Sequence, residues 1–201
     1  MTENNGSIST REQILKVALR LFAVEGYRQT SMEDIAREVG ISKPAIYHYF
    51  NGKETLFRQI VDDALTFHRK TVEEIAKQSL TLPELIEESI KSSMTVIRDT
   101  PDLIRMLVRL ISSNEGVEEF LDVHGIDCEI HQMEVEIFRR AFGAEQLRPG
   151  LNLETFVEFF HGVLFSFMAR CLMEPTFISQ ENMPAILRDL ILYGALVQPA
   201  K

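Results

Sequence analysis

The sequence predicts an all-α protein, with a three-helix head containing a helix-turn-helix and a larger helical domain behind it, about nine helices together. Three observations predict it. Apolar residues recur three and four apart along most of the chain, the spacing of a one-sided helix. Helix-start residues precede these runs, and Gly or Pro follows them. No stretch alternates apolar with polar residues as a half-buried strand would.

Ser9 with Glu12 makes a capping-box pattern ahead of "REQILKVALRLFAVEG", which Gly26 stops. Ile14, Leu15, Ala18, Leu21 and Phe22 fall on one face of that first helix. Thr30 with Glu33 repeats the pattern before "SMEDIAREV", ended by Gly40. Ser42 caps a short third helix with Pro44 in its first turn, where the missing N–H costs nothing. It runs out at Asn51-Gly52. A fourth helix from Lys53 or Glu54 keeps Leu56, Phe57, Ile60, Val61 and Ala64 on one side and extends to about Gln78. Thr81 with Glu84 opens the fifth, Thr100-Pro101 separates it from the sixth, and Ser112–Glu115 makes the next break. The seventh covers Val117 to Phe142 and ends at Gly143. Asn152 caps a strongly apolar eighth that Pro175 closes, and Asn182-Met183-Pro184 starts a ninth ending near Gly194.

Charge divides the chain. The 201 residues carry a net charge of −9, but residues 1–53 hold seven Lys/Arg against six Asp/Glu, so the acidity belongs to the remainder. The N-terminal part is thus free to approach a polyanion, although the chain as a whole does not coat nucleic acid or acidic membrane. The shift sets a boundary between residues 1–53 and 54–201. Cys128 and Cys171 have no Cys-x-x-Cys spacing, so a reducing cytoplasm is expected. "MTENNGSIST" lacks the charged and apolar regions of a signal peptide. The apolar run around Val163–Ala169 reads as far short of a membrane span, so a soluble cytoplasmic protein with no membrane partner is expected.

The second and third helices with the Gly40-Ile41 turn make a helix-turn-helix, with Ile35, Ala36, Val39, Ile41, Ala45 and Ile46 as its buried positions. In such a unit the N-terminal residues of the second helix meet base edges in the major groove. Lys43 at the tip can donate to guanine O6 and N7, while Pro44 and Ala45 offer apolar contact to a thymine methyl. Tyr47, His48 and Lys53 are placed to donate to phosphates. Thr30 and Ser31 add hydroxyls and backbone N–H groups at a helix start that attracts phosphate, and Ser42 is counted with the contact residues. The same pattern also fits a packing corner of a helical bundle. Phe50 reads as core and Tyr49 is open between core and surface.

These residues carry a family resemblance. Residues 14–57, "ILKVALRLFAVEGYRQTSMEDIAREVGISKPAIYHYFNGKETLF", resemble the N-terminal DNA-binding domain of the TetR family of transcriptional repressors. The shared features keep one register, from Phe22…Gly26-Tyr27…Thr30 through Ile35-Ala36…Val39-Gly40 to Ser42…Tyr47…Tyr49-Phe50 and Lys53-Glu54…Leu56-Phe57. The resemblance implies that Lys43, Pro44 and Ala45 face bases, while Arg28, Thr30, Ser31, Tyr47, His48 and Lys53 touch the DNA backbone. It also implies a homodimer held by the last two helices as a four-helix bundle.

Composition supports the dimer independently. The eighth helix, "LETFVEFFHGVLFSFMARCLM", is apolar nearly all round and carries the small residues Gly162, Ser166 and Ala169 in a stripe. With Phe159, and with Ile186, Leu187, Leu190, Ile191 and Tyr193 of the ninth, these form the expected interface. A central helix buried within one monomer would read the same way. On the seventh helix the apolar stripe includes His124, Cys128 and His131 at i, i+4 and i+7. They can converge on zinc or copper, line a cavity for an organic ligand, or hydrogen-bond within the interior. Six of the eight methionines and many phenylalanines lie beyond residue 53, which suits a flexible, aromatic-walled pocket. The candidate pocket residues are Met106, Arg109, His124, Cys128, His131, Phe160, His161 and Phe165, with Arg109 able to pair an acidic effector.

The expected function is therefore a repressor that holds a palindromic operator as a dimer and lets go when a small apolar or aromatic molecule binds the C-terminal domain. No cofactor is expected. The alternatives are a metal sensor through His124, Cys128 and His131, an all-α enzyme built on that cluster, or an interaction module that never meets DNA. No Gly-rich phosphate loop, Gly-x-Ser-x-Gly elbow or His-Glu-x-x-His pattern supports an enzyme.

Overall fold

A computed structural model describes residues 8–112, 123–143, 147–174 and 182–195, apart from the side chains of 111–112, 123–128 and 194–195. Among the described residues the elements are α1 (Thr10–Val24), α2 (Met32–Val39), α3 (Lys43–Tyr49), α4 (Lys53–Ala76), α5 (Leu82–Asp99), α6 (Pro101–Ser112), α7 (Val123–Phe142), α8 (Leu153–Met173) and α9 (Met183–Ala195), with no strand. Val117 and Leu121, expected in the seventh helix, and Pro175, expected to close the eighth, lie outside the described residues.

Most helix starts obey the local chemistry. Ser9 and Glu12 exchange hydrogen bonds at the start of α1, the Ser9 N–H donating to Glu12 Oε2 at 2.8 Å and the Glu12 N–H to Ser9 Oγ at 3.2 Å. At α5 the Thr81 N–H and hydroxyl both donate to Glu84, at 2.8 and 2.7 Å. The Asn152 side chain accepts from the Thr155 N–H at 2.7 Å at α8. The α2 start differs from expectation. Ser31, not Thr30, is the cap, and its partner is Asp34, not Glu33. Two overlapping Ser/Thr-x-x-acid patterns compete here. Thr30 loses because it is buried and its hydroxyl donates to Gly26 O at 2.9 Å.

The chain divides into two compact units, one of residues 1–66 and 105–122 and one of 67–104 and 123–201, so the divisions fall within α4 and α6. In the first unit α1 packs on α2 and α2 on α3. Its core joins Ile14, Ala18 and Phe22 of α1, Ile35 and Ala36 of α2, Ile46 of α3, Phe50, and Leu56 and Phe57 of α4. The rings of Phe22, Tyr27 and Phe57 meet pairwise with centroids 5.0–5.6 Å apart, separations at which tilted and edge-to-face aromatic pairs attract. Val39, Ile41 and Ala45, expected to be buried, are only half-buried, because a helix pair this short seals its interior with Met32, Ile35, Ala36 and Ile46.

In the second unit α5 is central and packs against α7, α8 and α9, while α7 also packs on α8. Leu82, Leu85, Ile86, Ile90 and Ile97 of α5 are buried, together with Phe138 and Phe142 of α7 and Phe156, Phe160 and Phe167 of α8. By length and composition α8 is able to cross a membrane. That corrects the expectation that the apolar run is too short. The face of α8 with Phe156, Val157, Phe160, Leu164 and Phe167 is buried inside the unit, which accounts for part of its apolar character.

Candidate nucleic-acid interface

The turn between α2 and α3 is built by Gly40. It stands at φ +81°, a left-handed conformation that residues with a Cβ adopt only at a cost. Its N–H donates to Ala36 O at 3.0 Å, and the Ile41 N–H donates to the same carbonyl at 2.9 Å. The α2 carbonyls that would be left open are thereby satisfied, and the chain turns directly into Ser42. The Ser42 side chain accepts from the Ala45 N–H at 3.3 Å and starts α3.

On α3 only Ile46 is buried, and Phe50 just beyond it is buried too. Lys43, Pro44, Tyr47, His48 and Tyr49 are exposed, and Ala45 is half-buried. Tyr49, left open by the sequence, is therefore a surface residue, 44% exposed. Lys43 pairs with Glu33 across the turn. The pair raises the ammonium above its ordinary pKa and lowers the carboxyl, in both cases chiefly through the hydrogen bond between them. The tip lysine is therefore charged and held at the end of α3.

Three candidate contact residues have other engagements. Thr30 is 1% exposed with its hydroxyl on Gly26 O, so the hydroxyl expected for a phosphate is turned inward. The Lys53 ammonium donates to Tyr27 O at 2.7 Å and lies 4.3 Å from the centroid of the Tyr27 ring, so it fastens the start of α4 to the loop after α1 instead of pointing outward. Ser31 is half-buried and engaged with Asp34 as the α2 cap. Arg28, Ser42 and His48 are exposed.

The candidate effector residues are divided between the two units. Met106 and Arg109 belong to the first unit, and His131, Phe160, His161 and Phe165 to the second. Met106 is buried core. Arg109 donates to Val24 O at 3.0 Å and Glu25 O at 2.8 Å, the carbonyls ending α1, where a helix's negative end favours a cation. Phe160 is packed between Phe138 and Phe156, with centroids at 5.1 and 6.3 Å, so it is core and not a pocket wall. The side chains of His124 and Cys128 lie outside the described residues. The second unit has a concavity of about 460 Å³ lined by Arg69, Met133, Glu136, Ile137 and Arg140 among others. Another of about 320 Å³ is lined by Ile75, Leu80, Leu85 and Arg140 among others. None of the expected pocket residues lines either.

His131 has different neighbours from those expected. Its ring meets His161 edge-on at 6.2 Å, and Glu134, one turn along α7, faces both His161 (3.2 Å) and His68 of α4 (3.4 Å). Glu134 is largely buried. Burial alone would raise its pKa, but hydrogen bonds from His161 and His68 bring it down to about 2. His68 and Glu134 escaped the sequence reading because they read as the solvated side of their helices. The only local trace was the His131-x-x-Glu134 spacing.

The expected dimer residues sit on two exposed apolar strips. On α8 Phe159 is 67% exposed, and Gly162 and Ser166 are also exposed. On α9 Leu190 is 66% exposed. Ala169 and Leu187 are half-buried. Ile191 is a correction, since it is buried inside its own unit, while Ile186 and Tyr193, also expected from the ninth helix, are exposed, as is Met173 at the end of α8.

The first unit thus defines a helix-turn-helix protein with its second helix presented outward. Residues 14–60 match the family described as "Bacterial regulatory proteins, tetR family". A Bacillus subtilis protein described as the uncharacterised HTH-type transcriptional regulator YxaF is 34% identical over 113 residues, covering 54% of this chain and 57% of its own length. The chain spans about half the length of that relative. A second B. subtilis regulator described in the same terms, YdgC, is 24% identical over 208 residues and 94% of each chain. The solved structure of the ketosteroid transcriptional regulator KstR2 of Mycobacterium tuberculosis has the same fold, with a TM-score of 0.70 over 96% of this chain and 98% of that one at 18% identity. Residues 14–60 thus carry the DNA-binding domain of the tetR family of bacterial regulatory proteins, and the rest of the chain shares the fold of such regulators.

Proposed function

We propose that the chain is a ligand-responsive, DNA-binding transcriptional repressor and not an enzyme, acting in the cytoplasm as a homodimer on a palindromic operator. The observation that carries this reading is α3, a capped helix whose exposed side holds a lysine, a proline, two tyrosines and a histidine around one buried isoleucine. Lys43, Pro44 and Ala45 read base edges, and Arg28, Ser42, Tyr47 and His48 hold the phosphates. Residues 1–53 make the DNA-binding domain and 54–201 the effector and dimerisation domain. Two copies meet through Phe159, Gly162 and Ser166 of α8 and Leu190 of α9, an exposed apolar surface that a monomer would leave in water. The two α3 helices then enter successive major grooves about one helical turn apart.

The effector is a small, largely apolar molecule taken up by the C-terminal domain. KstR2 is described as a ketosteroid regulator, and a rigid apolar molecule of that kind is in keeping with the phenylalanine-rich second unit. Binding lowers operator affinity only to the extent that the effector prefers a different setting of α4. α4 acts as the lever because its first residue, Lys53, is tied to the loop after α1.

A gel shift with DNA from upstream of the protein's own gene tests this reading. Salt-sensitive, sequence-specific binding is expected, and binding indifferent to sequence would overturn it. Lys43→Ala should relax base preference by about ten- to a hundredfold, whereas Tyr47→Phe should weaken binding to all sequences alike.

A further inference from the structure

Three helices of the second unit bring their imidazoles to one carboxylate. His131 and Glu134 stand three residues apart on α7 and so share a face. His161 comes from α8 and His68 from the C-terminal half of α4. One Glu134 oxygen lies 3.2 Å from His161 Nε2 and the other 3.4 Å from His68 Nε2. The ligand atoms of His131, Glu134 and His161 lie within 4.8 Å of one another. We propose that His131, Glu134 and His161, with His68 as the fourth donor, form a binding site for a divalent transition metal of the zinc class.

The donor chemistry selects the metal. Three imidazoles and one carboxylate suit zinc and its neighbours and not calcium or magnesium, which take oxygen donors. In a tetrahedral zinc site with bonds near 2.0–2.1 Å, ligand atoms stand about 3.3 Å apart. The 3.2 Å between His161 Nε2 and Glu134 Oε2 matches that spacing, while His68 faces the other oxygen, Oε1, at 3.4 Å, so its place in the set calls for the carboxylate to bind through both oxygens. Burial is graded usefully. The Glu134 side chain is 13% exposed and fixed, while His68 at 50% leaves the approach open to a hydrated ion. Glu158, 3.6 Å from His131 Nε2, adds negative charge beside the cluster. As a plain hydrogen-bonded network the arrangement gives one carboxylate two imidazole partners. As a metal site it gives every donor a use, and it staples α4 to α7 and α8. The site belongs to the second unit and does not depend on how the protein meets DNA.

The full-length protein, treated with chelator and dialysed, is titrated with zinc chloride against a chromophoric zinc indicator. Saturable binding of one zinc per chain is expected, with a rise in melting temperature that magnesium does not reproduce. Glu134→Gln and His161→Asn should each weaken zinc binding by about a hundredfold, and Cys128→Ser should leave it unchanged. Cobalt(II) loaded into the wild-type chain should show the visible spectrum of a tetrahedral site with no thiolate charge-transfer band, a readout that needs no variant. Absence of saturable zinc binding, undiminished affinity in Glu134→Gln and His161→Asn, or a thiolate band that vanishes in Cys128→Ser would each overturn the assignment.

Discussion

The head and the α7–α8 region both set polar residues into amphipathic helices, yet they use them in opposite ways. On α3 the polar residues point outward from one buried isoleucine, and Lys43 has a single carboxylate neighbour across a turn. On α7 and α8 the polar residues His131, Glu134 and His161 point at one another from different helices. The first arrangement is a surface prepared for a partner that brings its own charges. The second is a nearly closed set that satisfies itself or holds a single ion. A helix that presents polar groups outward can be read residue by residue, whereas a set drawn from three helices exists only after packing.

The largest way to break this comparison is to remove the support of the head. Phe57 is fully buried against the Phe22 and Tyr27 rings, so Phe57→Ala should cost about 3–5 kcal/mol in urea unfolding and abolish DNA binding. Phe160→Ala, buried among Phe138 and Phe156, should cost about as much. If Phe160→Ala proved nearly neutral, Phe160 would line a cavity after all, as its sequence position suggested. Next comes the surface between copies. A Cβ built on Gly162 meets nothing within 4 Å inside the chain, so Gly162→Leu should keep helix content while overpacking a dimer by about 1–3 kcal/mol per copy. Sedimentation should then show more monomer, and an unchanged dimer would move the interface elsewhere.

Smaller effects sharpen the account of the turn. Gly40→Ala places a Cβ at φ +81° and should cost about 1–2 kcal/mol from backbone strain alone. Ser31→Ala should cost about 1 kcal/mol as a lost cap. A loss from Thr30→Ala matching that of a cap, with Ser31→Ala silent, would restore the register first expected. The Asp34 carboxyl is held below its ordinary 3.8, first by the Ser31 hydroxyl and then by Arg37. A depressed carboxylate stabilises the fold above its unfolded pKa, and that contribution fades as pH falls below about 3.8 towards the folded value. Carboxyl NMR should place the Asp34 inflection below 3.8 in the wild type and higher in Ser31→Ala.

Legibility followed the range of each interaction. Ser9-Glu12, Ser42, Thr81-Glu84, Gly40 and Asn152 act within four residues of themselves, so their sequence spacing already contained their structure. The slip from Thr30 to Ser31 arose where two equally good local patterns overlapped and burial chose between them. Lys53 was expected on a phosphate and Arg109 in an effector pocket, because nothing near them in sequence reveals that Tyr27 O, or Val24 O and Glu25 O, will lie within reach. Ile191 and Phe160 were apolar residues on apolar helices, and periodicity alone does not say which apolar face a neighbour covers.

The sequence by itself determined the helices, their caps, the Gly40 turn and the identity of the residues on α3, because each follows from hydrogen bonds and side-chain spacing within one or two turns. Only the tertiary structure decided that Glu134 stands between His161 and His68, that Arg109 closes the end of α1, and that Leu190 is exposed while Ile191 is not. Those outcomes depend on which helix faces come together, and that is set by filling the interior as a whole, with no single stretch of chain carrying the information.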